Sequence, residues 1–170
     1  MNIILKPWET RDADALVKYA DNPKITQFMS DGFAGISTPE GVAKFIAFAN
    51  SGSDKIYRAI ELNGEVVGGI GVMVQTDIHC KNAELGYWLA EPFWGKGVTT
   101  KAIEMIVFEA FEQLDVTRIF AKPFHTNKAS QRVLEKAGFR LEAILEKAVF
   151  KNGEYLDEFI YAIRKRGSNG

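Results

Sequence analysis

The sequence is poor in the residues that build disulfides and metal sites. It holds one cysteine, Cys80, and two histidines among 170 residues. A lone cysteine excludes an intrachain disulfide and favours a reducing, cytoplasmic compartment. One cysteine and two histidines also fall short of a zinc-ligand set, so we expect no bound metal.

Long apolar runs and a strong charge of one sign are also missing. No stretch reaches the ~18 consecutive apolar residues that a membrane span needs. The N-terminal segment is too acidic, and its apolar run too short, for a signal peptide. Twenty-one basic and 22 acidic side chains leave a net charge of −1. Neither a nucleic acid nor a membrane is therefore expected as a partner.

What the sequence does contain is the composition of an ordinary globular domain. Hydrophobic residues make up 46% and charged residues 25% of the chain, which is enough for a sizeable core. We expect one domain over residues 1–163 and a polar tail over residues 164–170.

The periodicity of apolar residues predicts an alternation of strands and helices. The expected strands cover residues 2–8, 56–62, 65–75, 82–89, 118–122, 140–150 and 154–163. The expected helices cover residues 11–20 after a Thr10 cap, 39–50 after Thr38, a stretch after the glycine loop with Ile103 to Leu114 on its apolar face, and a segment from Thr126 or Asn127 to Gly138. Asn63-Gly64 and Asn152-Gly153 are typical hairpin turns. The glycines of residues 68–71 indicate close packing or a bulge inside a strand.

Antiparallel strands followed by a strand–helix–strand crossover predict a mixed sheet with helices on its faces.

A glycine-containing loop joins the strand of residues 82–89 to the clearest helix. It reads Trp94-Gly95-Lys96-Gly97-Val98-Thr99. Unpaired N–H groups and the helix dipole at such a helix start can bind phosphate, and glycine lets the backbone approach it closely. A plain strand-to-helix turn is the alternative. The loop matches neither the Walker A pattern nor the dinucleotide fingerprint.

Three segments, taken in order, resemble the Gcn5-related N-acetyltransferases of the RimJ/RimL type. They are Glu84-Leu85-Gly86-Tyr87-Trp88-Leu89 with the glycine loop, Asn127-Lys128-Ala129-Ser130 with Val133 to Phe139, and Gly153-x-x-x-Asp157-Glu158-x-x-Tyr161. The resemblance implies a single-domain α/β (α+β) fold with a mixed, mostly antiparallel sheet of about seven strands and helices on both faces. It also implies acetyl-CoA as the cofactor and acetyl transfer to an amine.

The same resemblance assigns residues to the cofactor. The pyrophosphate would lie on the loop, and the rest of the cofactor would contact the preceding strand and the next helix start. The implied set is Trp88, Leu89, Trp94, Gly95, Lys96, Gly97, Val98, Thr99, Asn127 and Ser130. Lys96 is equally well explained as a solvated lysine, and Asn127 as a plain helix cap.

Three catalytic groups are implied as well. A backbone N–H near Trp88 or Leu89, on a bulged strand, would stabilise the oxyanion. The acid tyrosine of many relatives is replaced by Leu134, which leaves Ser130 as the candidate acid, or as a mere helix-start residue. One base position of the family is occupied here by Val149. Glu84 matches another base position, or is a surface carboxylate. The weaker candidates are His125, Asp157 and Tyr161.

The expected function is acetylation of a primary amine, and the RimJ/RimL resemblance favours the α-amine of a protein or peptide. The alternatives are a small amine (an amino acid, a polyamine or an aminoglycoside), a non-catalytic acyl-CoA sensor, and a nucleotide-binding domain, which the failed phosphate patterns disfavour. Residues 27–38 are expected to line the acceptor side. Family members are monomers or homodimers.

Overall fold

A computed structural model describes residues 1–167 of the chain. The strands are β1 (Ile3–Lys6), β2 (Lys55–Leu62), β3 (Glu65–Val74), β4 (Asn82–Leu89), β5 (Arg118–Ala121), β6 (Arg140–Lys151) and β7 (Glu154–Arg164). The α-helices are α1 (Ala13–Tyr19), α2 (Pro23–Thr26), α3 (Pro39–Ala49), α4 (Val98–Gln113) and α5 (Lys128–Lys136). Short 3₁₀ helices cover Thr10–Asp12, Asp31–Ser37, Asp77–His79 and Glu91–Phe93. No helix in this described part is long and apolar enough to cross a membrane.

The seven strands form one sheet in the order β1-β2-β3-β4-β5-β7-β6. Only β4 and β5 pair in parallel, and the other neighbours are antiparallel. The α4 crossover explains this exception, because parallel neighbours need a long connection that returns to the same end of the sheet. The mixed, mostly antiparallel sheet is therefore confirmed.

The helices cover both faces of the sheet, as expected. One apolar cluster joins α4 and α5 to the sheet, with Ile103, Ile106 and Leu134 fully buried. The other joins α1, α2 and α3 to the opposite face and includes Leu16 and Trp88. Side chains alternate between the two faces along a strand, so β2, β3 and β4 contribute to both clusters.

Turn residues fit the two predicted hairpins. Asn63 and Gly64 link β2 to β3 with positive φ angles of 52° and 91°. Asn152 and Gly153 link β6 to β7 with φ of 51° and 81°. Asparagine and glycine tolerate this left-handed region, which makes these sequence signals reliable.

The glycines inside β3 are required by close approach. A Cβ on Gly68 would lie 2.4 Å from the Trp88 carbonyl oxygen, and one on Gly71 would lie 2.6 Å from the Tyr57 ring. The pairing of β2 with β3 also shifts register at Ile60/Glu61. Close packing at these glycines is therefore confirmed, and the irregularity lies just before them, at Val67.

The structure corrects two boundaries. The first helical segment is capped by Glu9 and not by Thr10, because the buried Asp12 carboxylate accepts a hydrogen bond from the Glu9 N–H at 2.9 Å. The expected tail begins too early. Arg164 pairs with Arg118 as the last residue of β7, and the Lys165 N–H donates to the Thr117 carbonyl. Residues 168–170 of the expected tail lie outside the described residues.

Candidate active site

The parallel pair β4–β5 separates soon after it forms. Its pairing covers only Asn82 with Arg118, Ala83 with Ile119 and Glu84 with Phe120. β4 continues to Leu89, so its second half has no partner on the β5 side. The carboxyl end of β4 therefore opens into a gap in the sheet, next to the loop that begins α4.

A cavity of about 230 Å³ occupies this gap. Its walls come from the end of β4, the glycine loop, the start of α5 and the α2 region. The lining residues include Tyr87, Trp88, Leu89, Trp94, Gly95, Thr99, Asn127, Ser130, Lys24 and Met29. Seven of the ten predicted cofactor residues thus line one cavity.

The other three predicted cofactor residues lie in the loop but do not line the cavity. Gly97 is the N-cap of α4, with φ of 77°. The Val98 side chain is buried in the core, which leaves only its backbone for a ligand. The Lys96 ammonium donates to the Pro92 carbonyl at 3.0 Å, so a contact with phosphate would require it to leave that position.

The start of α4 has the features of an anion site. Gly95 and Gly97 both have positive φ, and a Cβ on either would meet nothing within 4 Å. These glycines are therefore needed for the backbone conformation and not for packing. No side chain caps the helix start, so its first N–H groups are free for an anion at the positive end of a 16-residue helix.

Trp94 fastens this loop to the end of β4. Its indole Nε1–H donates to the Leu89 carbonyl at 2.7 Å. The tryptophan thus satisfies a carbonyl group that faces the gap and has no strand partner. Trp94 therefore contributes a structural hydrogen bond between the loop and β4.

The Leu89 N–H is the better placed of the two predicted oxyanion donors. The Asn82 carbonyl accepts from the N–H of Gln75, just after β3, and the Ala90 N–H donates to the Val67 carbonyl of β3. Because backbone groups alternate sides along a strand, even-numbered residues of β4 face β3. The N–H of Trp88 is thus directed to β3 and that of Leu89 to the gap. The expected bulge is absent, since the β3–β4 pairing has no register shift; separation from β5 frees the N–H instead.

The start of α5 forms the opposite wall of the gap. The Asn127 side chain caps the helix by accepting from the Ser130 N–H at 3.2 Å. The cap geometry places Asn127 and Ser130 beside the cavity at the same time, so the capping interpretation and the cofactor interpretation are compatible.

Tyr87 is a site residue without a predicted role. Its hydroxyl shares a hydrogen bond with the Ser130 hydroxyl, with the two oxygens 2.5 Å apart. Burial raises the pKa of Tyr87 well above its usual value, against a smaller opposing effect of the Ser130 hydrogen bond. The sequence could have identified Tyr87 by its position two residues before Leu89, because residues two apart lie on the same side of a strand.

A second cavity of about 490 Å³ lies on the other face of the sheet. It is bounded by α3, by the 3₁₀ segment Asp31–Ser37 and by β2 to β4. Met29, Tyr87 and Trp88 line both cavities, so the two meet at the end of β4. Part of the segment 27–38, expected on the acceptor side, lines this second cavity.

Two carboxylates, Glu84 and Glu158, lie on this same face of the sheet, although neither lines the second cavity. Glu84 is two residues before the cavity-lining Gly86 and pairs with Lys122 at 3.3 Å. Glu158 on β7 was not singled out as a base from sequence. Burial raises the pKa of Glu158, the Glu84 charge adds to this, and the Lys122 charge opposes it.

The weaker candidates have structural contacts. His125 Nδ1 accepts a hydrogen bond from the backbone N–H of Asp157 at 3.1 Å, and the backbone N–H of His125 donates to the Asp157 carbonyl. The Tyr161 hydroxyl donates to Glu135 at 2.9 Å. Burial and this carboxylate raise the pKa of Tyr161 to about 12. Leu134 is fully buried in the core. Residues 1–167 contain no cluster of three or more His, Cys, Asp or Glu side chains placed to hold a metal.

Comparisons with known proteins identify the family of the chain. Residues 2–140 match the acetyltransferase (GNAT) domain family. The uncharacterized N-acetyltransferase YoaA of Bacillus subtilis is 30% identical over 171 residues, covering 96% of this chain and 93% of its own. The chain therefore belongs to the GNAT acetyltransferase family, as the resemblance predicted, and its relatives are N-acetyltransferases.

Solved structures share the whole fold. Mycobacterium smegmatis RimJ in complex with CoA-disulfide has a TM-score of 0.85 at 24% identity, over 99% of this chain and 84% of its own. The microcin C7 self immunity acetyltransferase MccE, in complex with acetyl-CoA and AMP, has a TM-score of 0.82 at 27% identity, over 96% of this chain and 92% of its own. The predicted α/β fold of the RimJ/RimL type is confirmed.

Proposed function

We propose that this protein transfers the acetyl group of acetyl-CoA to a primary amine, by direct attack of the amine on the thioester. The observation that carries this proposal is the gap between β4 and β5, bordered by an uncapped helix start and by the Leu89 N–H. The gap combines a cavity with a helix start that would bind an anion and an N–H that would stabilise an oxyanion.

The cofactor would bind along this gap. The backbone of residues 94–99 would hold the pyrophosphate, and Asn127 and Ser130 would border the pantetheine arm. Acetyl-CoA supplies the activated thioester. Leu89 would donate its N–H to the carbonyl oxygen as negative charge develops there.

The acceptor amine would approach from the second cavity, at the junction near Tyr87 and Trp88. It must lose a proton, and Glu84 and Glu158 are the carboxylates on that face that can receive it through water. The CoA thiolate must gain a proton on the opposite side. The Tyr87–Ser130 hydroxyl pair is the available donor, because burial keeps the tyrosine protonated.

For the acceptor we propose the α-amine of a protein or peptide. The RimJ/RimL-type family resemblance supports this choice. A polyamine or an aminoglycoside would need several carboxylates, yet Lys44 is the one charged side chain among the described residues that line the second cavity.

The single cysteine, Cys80, supports a reducing cytoplasmic location. The near-neutral net charge supports a protein without a nucleic-acid or membrane partner, and the family resemblance supports a monomer or homodimer.

A thermal-shift titration with acetyl-CoA, followed by thiol release against amines and N-terminal peptides, tests the proposal. We expect saturable stabilisation and thiol release that depends on the acceptor. Absence of stabilisation would overturn the assignment of residues 94–99 to the pyrophosphate.

A non-catalytic acyl-CoA sensor is the second candidate. It is favoured by Leu134 and Val149, which replace the acid and base positions of relatives with side chains that cannot transfer a proton. Saturable binding of acetyl-CoA without thiol release on any amine would support the sensor. Release of thiol with one amine class would exclude it.

A further inference from the structure

The second cavity is walled by aromatic rings. Phe33 packs edge-on against Trp88 with ring centroids 6.1 Å apart, and Tyr57 packs in the same manner against Phe45 and Phe48 at 6.3 and 5.3 Å. All five rings line the cavity. The volume of about 490 Å³ lies within the range of ordinary ligand sites.

Glycines form the sheet side of this cavity, and they differ in the space they leave. Gly69 and Gly71 are already covered, by Trp88 and by Tyr57 respectively. Gly86 is not covered, since a Cβ there would meet nothing within 4 Å, and its φ is not in the left-handed region. The open volume of the cavity thus reaches the backbone of β4 at Gly86, one residue from Tyr87.

The charge of the lining also restricts the occupant. Of the described residues that line the cavity, Lys44 is the one with a charge, and its ammonium pairs with Glu40 at 2.5 Å on the surface of α3. Such a lining offers no carboxylates to a second ammonium group. It favours a flat or bulky apolar group, which aromatic walls bind through contact area and edge-to-face packing.

We propose that the acceptor is an α-amine whose neighbouring side chain is aromatic or large and apolar, and that this side chain fills the cavity of Phe33, Phe45, Phe48, Tyr57 and Trp88. The inference rests on the proposed acetyltransferase function. The two cavities meet at Met29, Tyr87 and Trp88. An amine at this junction reaches the thioester while the adjacent side chain extends past Gly86.

The test compares tripeptides that differ only in their first residue: phenylalanine, leucine, alanine or glycine. We expect kcat/KM for the phenylalanine peptide to exceed that for the glycine peptide at least about tenfold, because even one methylene in an apolar pocket changes this ratio by about tenfold. Spermidine, as a polycation, should be a poorer acceptor than the phenylalanine peptide.

A graded pair of variants ties the preference to this cavity. Gly86→Ala and Gly86→Val place one and three carbons in the open space without a backbone clash. The ratio of kcat/KM for the phenylalanine and glycine peptides should fall in that order, by at least about tenfold in Gly86→Val. Stabilisation by acetyl-CoA verifies that each variant is folded, since Gly86 does not line the cofactor cavity.

Two results would overturn the inference. Equal kcat/KM for all four peptides, or a ratio unchanged in Gly86→Val, would exclude the aromatic cavity as the acceptor site while leaving an acetyltransferase. Stabilisation by acetyl-CoA without turnover of any peptide or of spermidine would instead overturn the proposed function, and the acceptor class with it.

Discussion

The hydroxyl oxygens of Tyr87 and Ser130 lie 2.5 Å apart across the gap between β4 and α5. The pair joins the strand that would position the thioester to the helix that would border the CoA arm. Burial raises the pKa of the tyrosine, so its hydroxyl keeps its proton throughout the ordinary assay range. In the proposed function, the two side chains act as one proton-donating unit.

The first prediction concerns this unit. We expect Ser130→Ala and Tyr87→Phe each to lower kcat by about 100-fold, at the lower end of what general acid–base catalysis contributes, with a much smaller change in acetyl-CoA affinity. The double variant should be no slower than the slower single variant, because the residues act together. Steady-state kinetics at saturating substrates, with calorimetry for affinity, measure these effects.

Ser130→Thr is the control, since it keeps a hydroxyl at the same position and should retain most of the activity. Unchanged kcat in Ser130→Ala would leave Ser130 as a helix-start residue. Full additivity of the two losses would separate the roles of the two hydroxyls.

The second prediction concerns the anion site at the start of α4. Gly97→Glu should weaken acetyl-CoA binding more than about tenfold beyond Gly97→Gln, because a carboxylate beside the pyrophosphate adds like-charge repulsion. Both variants place a side chain at φ of 77° and share its strain, so the difference isolates the charge. Calorimetric titration provides the comparison, and equal affinities would place the pyrophosphate elsewhere.

The third prediction concerns the pH dependence of stability. The raised pKa of Glu158, due mainly to burial, means that the folded protein binds this proton more tightly than the unfolded chain does. Its stabilisation is present at acid pH and is lost as pH rises from the ordinary glutamate value of 4.5 through the raised value. The free energy of unfolding of Glu158→Gln, measured relative to that of the wild type, should therefore increase as pH rises through this window.

Glu142 provides a control of opposite sign. The hydrogen bond from Arg118 lowers its pKa, so its stabilisation is present above the unfolded-state pKa and is lost as pH falls. Glu142→Gln should cost stability at neutral pH and approach the wild type in acid. Parallel pH profiles for the two variants, measured by urea denaturation, would contradict both assignments.

The fourth prediction concerns the buried ion pair of Lys6 and Asp12. Their side chains are only 14% and 6% exposed, and their charged atoms lie 2.6 Å apart. Asp12→Ala should lower the free energy of unfolding by about 3 kcal/mol, because it leaves the Lys6 charge buried without its partner. The neighbouring exposed Asp14→Ala should cost less than about 1 kcal/mol. Similar losses in the two variants, measured by denaturant unfolding, would refute this account.

The fifth prediction compares two glycines of the sheet. Gly68→Ala places a Cβ 2.4 Å from the Trp88 carbonyl, whereas Gly86→Ala meets nothing within 4 Å. We expect the first variant to lose about 2 kcal/mol through overpacking against backbone and the second to stay within about 0.5 kcal/mol of the wild type. Thermal or denaturant unfolding measures both, and equal stability would contradict the close approach at Gly68.

The fold could be read from the sequence where the signals are local. The bounds of β4 were predicted to the residue, and Thr38 caps α3 by accepting from the Gly41 N–H. The tail boundary was wrong because the pairing of Arg164 with Arg118 joins residues far apart in sequence. The cap at Glu9 was missed because it depends on the burial of Asp12 against Lys6.

The sequence by itself determined the two asparagine–glycine hairpins, the glycine loop before α4 and a helix cap at Thr126 or Asn127, because each depends on backbone preferences of adjacent residues. Only the tertiary structure decided where β4 leaves β5, which N–H faces the gap, and that Tyr87 meets Ser130. It also decided that aromatic rings from α3, β2, β4 and the Asp31–Ser37 segment enclose one cavity. These features arise when distant segments pack against each other, and no local pattern in a single sequence encodes that packing.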